Sequence, residues 1–226
     1  EALLDIQVRL PSGTDPAQLA AIHSAIKDRY PTSRTRMNWK GGVQFKEGAE
    51  PAVVSSSREA VGYLFYSADN RRVVQARMDG FTFNQHRPYG DWPTFRDEAK
   101  GHWERYREVA KPETVSRIAL RFINRLDVPE PMGEFKNYIL TAPEVAPKLP
   151  QGLANFFMRL VIPHPDGGLV AIVTLTEDAP AKEGVCSLVF DIDVFQEMAI
   201  QPGNDMMWAT FEQLRDFKNT VFIMTS

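Results

Sequence analysis

Three arginines spaced four apart, Arg117, Arg121 and Arg125, stand in the run from Val115 to Val128. That spacing puts them in one phase of a pleated strand, opposite Ile118, Leu120, Phe122 and Leu126. Planar guanidinium groups fixed on a rigid sheet offer paired N–H donors to a phosphate or a carboxylate. Arg77 supplies another from a different strand, and Asn124 adds an amide. Asp191 and Asp193 alternate within Asp-Ile-Asp, which lets them orient the guanidiniums. The same two aspartates could instead hold a divalent cation against a polyphosphate, as a metal-dependent phosphohydrolase would require. The plainest account of these rows is structural. Arg and Asp on neighbouring strands form cross-strand ion pairs on an open sheet face, each worth a fraction of about 1 kcal/mol. Asp79 and the Asp5, Gln7 and Arg9 row occupy the same outward phase.

Other chemistry is sparse. His23, His86, His102 and His164 are scattered and lack metal-ligand spacing, so no metal site is expected. The chain has no Gly-x-Ser-x-Gly elbow, no Walker-type phosphate loop and no Gly-x-Gly-x-x-Gly, and no cofactor is implied. Phe81, Phe83, Tyr89 and Trp92 beside Arg87 could stack on bases, yet a strand-to-helix corner needs the same aromatics as packing. The single cysteine, Cys186, lies in an apolar run and reads as a small hydrophobe.

Composition sets the class. The 226 residues are 43% hydrophobic and 24% charged, with a net charge of −3, as expected of a globular protein with no general attraction for duplex nucleic acid or anionic membrane. No apolar run approaches the roughly 18 residues that span a bilayer, and no signal peptide is visible, so the expected location is the cytoplasm.

The elements that must position these residues read as follows. Ala2 to Leu10 alternates as a strand. Asp15 caps a helix that starts at Pro16, buries Leu19, Ile22 and Ile26, and stops before Pro31. Arg34 to Lys40 alternates again, Gly41-Gly42 marks a bulge or turn before Val43 to Phe45, and Glu47 to Arg58 reads as a surface loop. Val61–Ser67, Arg72–Asp79 and Phe81–His86 form a meander. A helix from Thr94 to Ala110 buries Phe95, Ala99, Trp103, Tyr106 and Ala110. After the arginine strand come a short helix over Glu134–Leu140 and a Pro-rich connection from Pro143 to Pro150. Phe157–Ile162 and Leu169–Thr176 make a hairpin around His-Pro-Asp-Gly-Gly. Val185–Phe195 is the next strand, and a helix over Asn204–Asn219 carries Trp208, Phe211, Leu214 and Phe217 as its stripe.

This order predicts an α+β fold: a curved antiparallel sheet with helices on one face, built from two similar β-α-β-β-β-α halves, about 1–112 and 113–226, within a single domain. It resembles the saddle of TATA-box-binding-protein-like folds. Glu1-Ala-Leu-Leu-Asp-Ile-Gln-Val, Val61-Gly-Tyr-Leu-Phe-Tyr-Ser, Asp79-Gly-Phe-Thr-Phe-Asn with Pro88-Tyr and Trp92, Leu120-Arg-Phe-Ile-Asn-Arg, Asp191-Ile-Asp-Val-Phe and the closing Leu-Arg-Asp-Phe-Lys-Asn-Thr-Val-Phe together resemble an uncharacterised, sporadically distributed prokaryotic family of unknown function. The resemblance implies no activity and no catalytic residue. It implies a short segment ahead of Glu1, and a patchy distribution compatible with defence-associated genes. The expected function is a binding or assembly module, not an enzyme, with an anionic ligand or acidic partner segment on the arginine face. The alternative from another class is a divalent-metal-dependent phosphohydrolase using Asp191 and Asp193, and a third is a structural homo-oligomer subunit, such as a homodimer.

Overall fold

A computed structural model describes residues 1–44, 52–130, 135–141, 143–150, 155–180 and 182–225. The fold is α+β with antiparallel strand pairing, and the described residues divide into two compact units, Ile6–Val115 and Glu1–Asp5 with Ser116–Ser226.

In the Ile6–Val115 unit the strand order is β2-β3-β4-β5-β1. Strand β1, Ala2–Arg9, buries alternate residues, of which Ile6 and Val8 belong to this unit. Asp15 caps the 3₁₀ turn Pro16–Ala20 by accepting from the Ala17 amide at 2.8 Å, and α1, Ala21–Ile26, continues it. Helix α2, Trp92–Ala110, begins where Asp91 accepts from the Thr94 amide and ends at Lys111, whose φ of 48° is left-handed. Its apolar stripe buries Phe95, Trp103 and Tyr106 against the strand aromatics, with Phe83 5.2 Å from Phe95 and Phe81 6.0 Å from Trp103.

Strands β2, Thr32–Gln44, β3, Ala52–Tyr66, β4, Arg72–Arg77, and β5, Gly80–Gln85, form an antiparallel meander. The surface loop expected over Glu47–Arg58 is corrected in part, because residues 52–58 extend β3 and pair with β2; residues 45–51 lie outside the described residues. Pro51 and the three serines read as loop because they lack apolar alternation, which backbone pairing with β2 does not require. Among the described residues, strand β4 pairs with β3 from Gly62 to Tyr66, and Met37–Gln44 and Ala52–Ala60 pair with each other alone. Gly62 sits where β4 joins, with φ of +151°, and a Cβ there would stand 2.3 Å from the Ala76 carbonyl oxygen.

In the other unit the strand order is β1-β6-β9-β8-β7. Strand β6 spans Thr114–Pro129, β7 Phe157–Pro163, β8 Leu169–Asp178 and β9 Val185–Ile200. The register sets Val173 opposite Ile192 and Leu175 opposite Phe190, so the apolar phase of both strands falls on one buried face. Helix α3, Met206–Thr225, covers apolar surface with Met207, Phe211, Leu214, Phe217 and Val221. The expected stripe placed Trp208 where Met207 lies. One residue rotates a helical side chain by about 100°, and Trp208 instead flanks Phe211 with ring centroids 5.3 Å apart. The helix expected over Glu134–Leu140 is a 3₁₀ turn, Phe135–Asn137, among the described residues, with Glu134 outside them.

Candidate functional site

Strand β6 alternates as its sequence demands: Ile118, Leu120 and Phe122 are buried, while Arg117, Arg121 and Arg125 project from the other face. On β9 the same alternation buries Ile192 and Val194 and turns Asp191 and Asp193 outward. The two strands are neighbours, so the rows meet. Arg121 grips Asp191 bidentately, Nε donating to Oδ1 at 2.9 Å and Nη2 to Oδ2 at 2.5 Å. Arg117 Nη2 donates to Asp193 Oδ2 at 3.1 Å, stands 3.9 Å from Asp5, and lies over the Phe195 ring at 4.3 Å. Arg125 is the most engaged: it donates to Asp178 at 2.7 Å, to the Ala179 carbonyl at 2.7 Å and to Ser187 Oγ at 3.0 Å, with Asp127 at 3.2 Å. Ser187 is fully buried, and its hydroxyl donates to Asp127 at 2.6 Å.

The two aspartates that the sequence offered as orienting groups therefore each hold one guanidinium. Burial raises the Asp193 carboxyl above its ordinary range, against the lowering influence of Arg117 and Arg121. The hydrogen bonds from Arg121 to Asp191 raise the guanidinium's own pKa, which keeps it charged. Asn124 donates its amide to the Phe190 carbonyl at 3.2 Å, a bond within the sheet. Arg77 lies in the Ile6–Val115 unit, where Nε donates to Asp79 at 2.9 Å and Nη1 to Thr82 at 2.7 Å. Among the described residues no group of three or more His, Cys, Asp or Glu could hold a metal ion.

Availability for a ligand differs along the row. The Arg121 side chain is 47% exposed, against 14% for its partner Asp191, and among the described residues its Nη1 has no hydrogen-bond partner. The β7–β8–β9 register carries that row outward, since Asp191 lies opposite Thr174 and Thr174 opposite Arg159. Arg159 is exposed and has no carboxylate partner among the described residues, and it was not singled out in the sequence because β7 offers a single arginine among apolar residues.

A second constellation escaped the sequence reading entirely. Helix α2 presents Glu98 and His102 four residues apart toward Tyr30, which follows α1. Tyr30 Oη donates to Glu98 Oε1 at 2.8 Å, His102 Nε2 lies 3.1 Å from Tyr30 Oη, and Arg29 and Arg72 approach Glu98 at 2.7 and 3.4 Å. Burial would push Glu98 up, but the hydrogen bonds from His102 and Tyr30 and the two guanidiniums outweigh it and hold the carboxyl below its ordinary range. Burial depresses His102, so its imidazole is neutral near pH 7, while burial and Glu98 raise the Tyr30 phenol. His102 Nδ1 is buried and has no hydrogen-bond partner among the described residues. A pocket of about 310 Å³ opens beside this cluster. The signal was present: Glu98 lies next to the apolar stripe and His102 falls on it, where a polar residue needs a partner. In comparisons with known proteins, no family model, curated protein or solved structure matches this chain.

Proposed function

We propose that this protein is a binding or assembly module that holds an anionic ligand, or the acidic segment of a partner, on the outward row of β6. The observation that carries this reading is Arg121, a half-exposed guanidinium fixed on a strand by a bidentate carboxylate, with Nη1 unengaged among the described residues. A carboxylate or phosphate approaching Nη1 adds to the Asp191 pairing without displacing it. Arg159, without a carboxylate partner among the described residues and on the same cross-strand row, extends the field toward β7. Arg117 and Arg125 contribute positive potential and order; their donors are largely committed. The reading includes two structurally similar halves, since each half runs strand, helical turn, antiparallel strands and a closing helix.

The test is a thermal-shift panel of nucleotides, polyphosphates and dicarboxylates on the wild type and on the Arg121→Ala/Arg125→Ala double variant. Ligand at 100 times its Kd adds about 2.7 kcal/mol of stability. A hit that persists in the double variant removes the β6 row from the reading.

Homodimerisation through the β7 edge is favoured by a separate observation: Phe157 and Val161 are 70% and 55% exposed on the terminal strand of that unit's order. Light scattering of the wild type against Val161→Lys separates it, because an edge-paired dimer would dissociate and a monomer would not change.

A further inference from the structure

The arginines of β6 are paired with carboxylates, whereas the cations of β2 and β3 are not. Arg34, Arg36, Lys40 and Arg58 have no carboxylate partner among the described residues. Arg36 reaches only the Gln75 side-chain oxygen at 3.4 Å, Arg34 lies over the Tyr66 ring at 5.0 Å, and Arg58 lies over the Trp39 ring at 5.3 Å. One carboxylate, Glu59, stands among them, opposite Asn38, without an ion pair among the described residues.

The ribbon arranges these groups. Arg34, Arg36 and Lys40 share a phase of β2, each two or four residues from the next, and the register irregularity near Gly62 leaves the β2 alternation unbroken. Met37 and Trp39 occupy the other phase, with Trp39 opposite Arg58. Every residue of β2 from Thr32 to Gly41 is exposed, and β2 ends the strand order of its unit. Trp39, at 63%, is the most exposed large aromatic of the Ile6–Val115 unit among the described residues. Edge strands are commonly blunted by charge, but an exposed indole next to that charge works against such protection.

We infer that the β2–β3 ribbon binds single-stranded nucleic acid along the β2 edge, with Arg34 and Arg36 on neighbouring phosphates, Lys40 on a phosphate further along the same face, and Trp39, which projects to the opposite face beside Arg58, stacking on an unpaired base that turns round the edge. Arg34 and Arg36, two apart, are about 6.8 Å apart along the strand, and Lys40 lies about 13.6 Å beyond Arg36, spacings suited to one and two steps of an extended sugar-phosphate chain. Arg58 covers one face of the indole, and a base takes the other. A groove of about 480 Å³ at the root of the ribbon, lined by Arg36, Met37, Val61 and the Arg77–Asp79 ion pair, has room for a flanking nucleotide. The net charge of −3 argues against general affinity for duplexes, and a local cationic strand beside an aromatic is the pattern that selects unpaired bases. This inference concerns the Ile6–Val115 unit and is independent of the β6 row.

The experiment is fluorescence anisotropy with a 5′-labelled 20-nucleotide single strand, as DNA and as RNA, against the matching DNA duplex and phosphatidylserine vesicles, between 50 and 200 mM salt. The wild type is expected to prefer single strands. Trp39→Ala should weaken binding by about 5- to 150-fold, the range for removal of one base stack. The triple variant Arg34→Gln/Arg36→Gln/Lys40→Gln should flatten the salt slope by about 2, at roughly 0.7 for each phosphate no longer neutralised. The substituted side chains are all exposed, and circular dichroism reports folding; the single charge reversal Lys40→Glu supplies the test if the triple variant is unfolded. No binding at 50 mM salt, binding unaffected in the variants, or equal binding to duplex or vesicles overturns the inference.

Discussion

Removing the Glu98 carboxylate is the sharpest test of what holds α2 to the segment after α1. In Glu98→Ala, Tyr30 Oη loses the acceptor at 2.8 Å in a place where Tyr30 is 1% exposed, and Arg29 and Arg72 lose their carboxylate. A buried hydroxyl that loses its acceptor costs about 1–3 kcal/mol, toward the lower end here because His102 Nε2, 3.1 Å from Tyr30 Oη, can accept in the other tautomer. Each of the two arginine pairs adds about 0.5 kcal/mol, since Arg29 is largely exposed and Arg72 is partly so. The sum is about 2–4 kcal/mol, or roughly 4–16 °C in Tm for a chain of this size. Differential scanning calorimetry of Glu98→Ala, Tyr30→Phe and the double variant gives both the magnitude and the coupling. The two changes remove one shared bond, so the double variant should fall short of the sum by about 1 kcal/mol or more. Strict additivity, or a Glu98→Ala shift below about 1 °C, refutes the assignment of this cluster as a structural pin.

The same cluster predicts acid sensitivity. The fold favours neutral His102, so its contribution is complete above the ordinary imidazole value of 6.5 and is lost as pH falls through the depressed folded value; Glu98, also depressed, adds its loss below 4.5. Tm measured from pH 8 to 4 should therefore decline from about pH 6.5 downward, and His102→Gln should flatten the upper part of that decline; an unchanged profile would count against it. Gly62→Ala should destabilise by several kcal/mol, because its Cβ meets the Ala76 carbonyl oxygen at 2.3 Å and the Arg77 Cα at 2.9 Å; urea unfolding reads the loss, and a change under about 1 kcal/mol would be inconsistent with the geometry. Arg121→Ala should cost about 1–3 kcal/mol, since Arg121 is 47% exposed but its loss leaves Asp191, 14% exposed, without its bidentate partner, and a fall in Tm beyond about 12 °C would make Arg121 a structural residue.

The phases of β1, β6 and β9 were legible because one face of each of these strands is buried. Leu4, Ile6 and Val8 on β1, Ile118, Leu120 and Phe122 on β6, and Leu188, Phe190, Ile192 and Val194 on β9 all alternate as the residues imply. The pairing of Arg121 with Asp191 followed once β6 and β9 became neighbours, which periodicity alone does not state. The ribbon was legible on one strand only: Arg34 to Lys40 alternates, whereas residues 52–58 of β3 were read as loop because the serines at 55–57 imitate one. The Tyr30–Glu98–His102 cluster joins residues about seventy positions apart, and only the polar residue on a buried helical phase hinted at it.

Strand β1 sets a timetable for folding. The Glu1 backbone nitrogen donates to the Ile123 carbonyl at 2.9 Å and Arg9 is bonded to Glu113, so β1 waits for a strand more than a hundred residues later. At roughly 5–20 residues per second of synthesis, that interval is on the order of ten seconds. Throughout it, Ala2 and Leu4, both fully buried in the finished fold, lack their neighbour on β6, and the chain's high contact order makes its folding slow by topology alone. Slower translation of the segment between β1 and β6 would lengthen that interval, and aggregation during expression should increase with it.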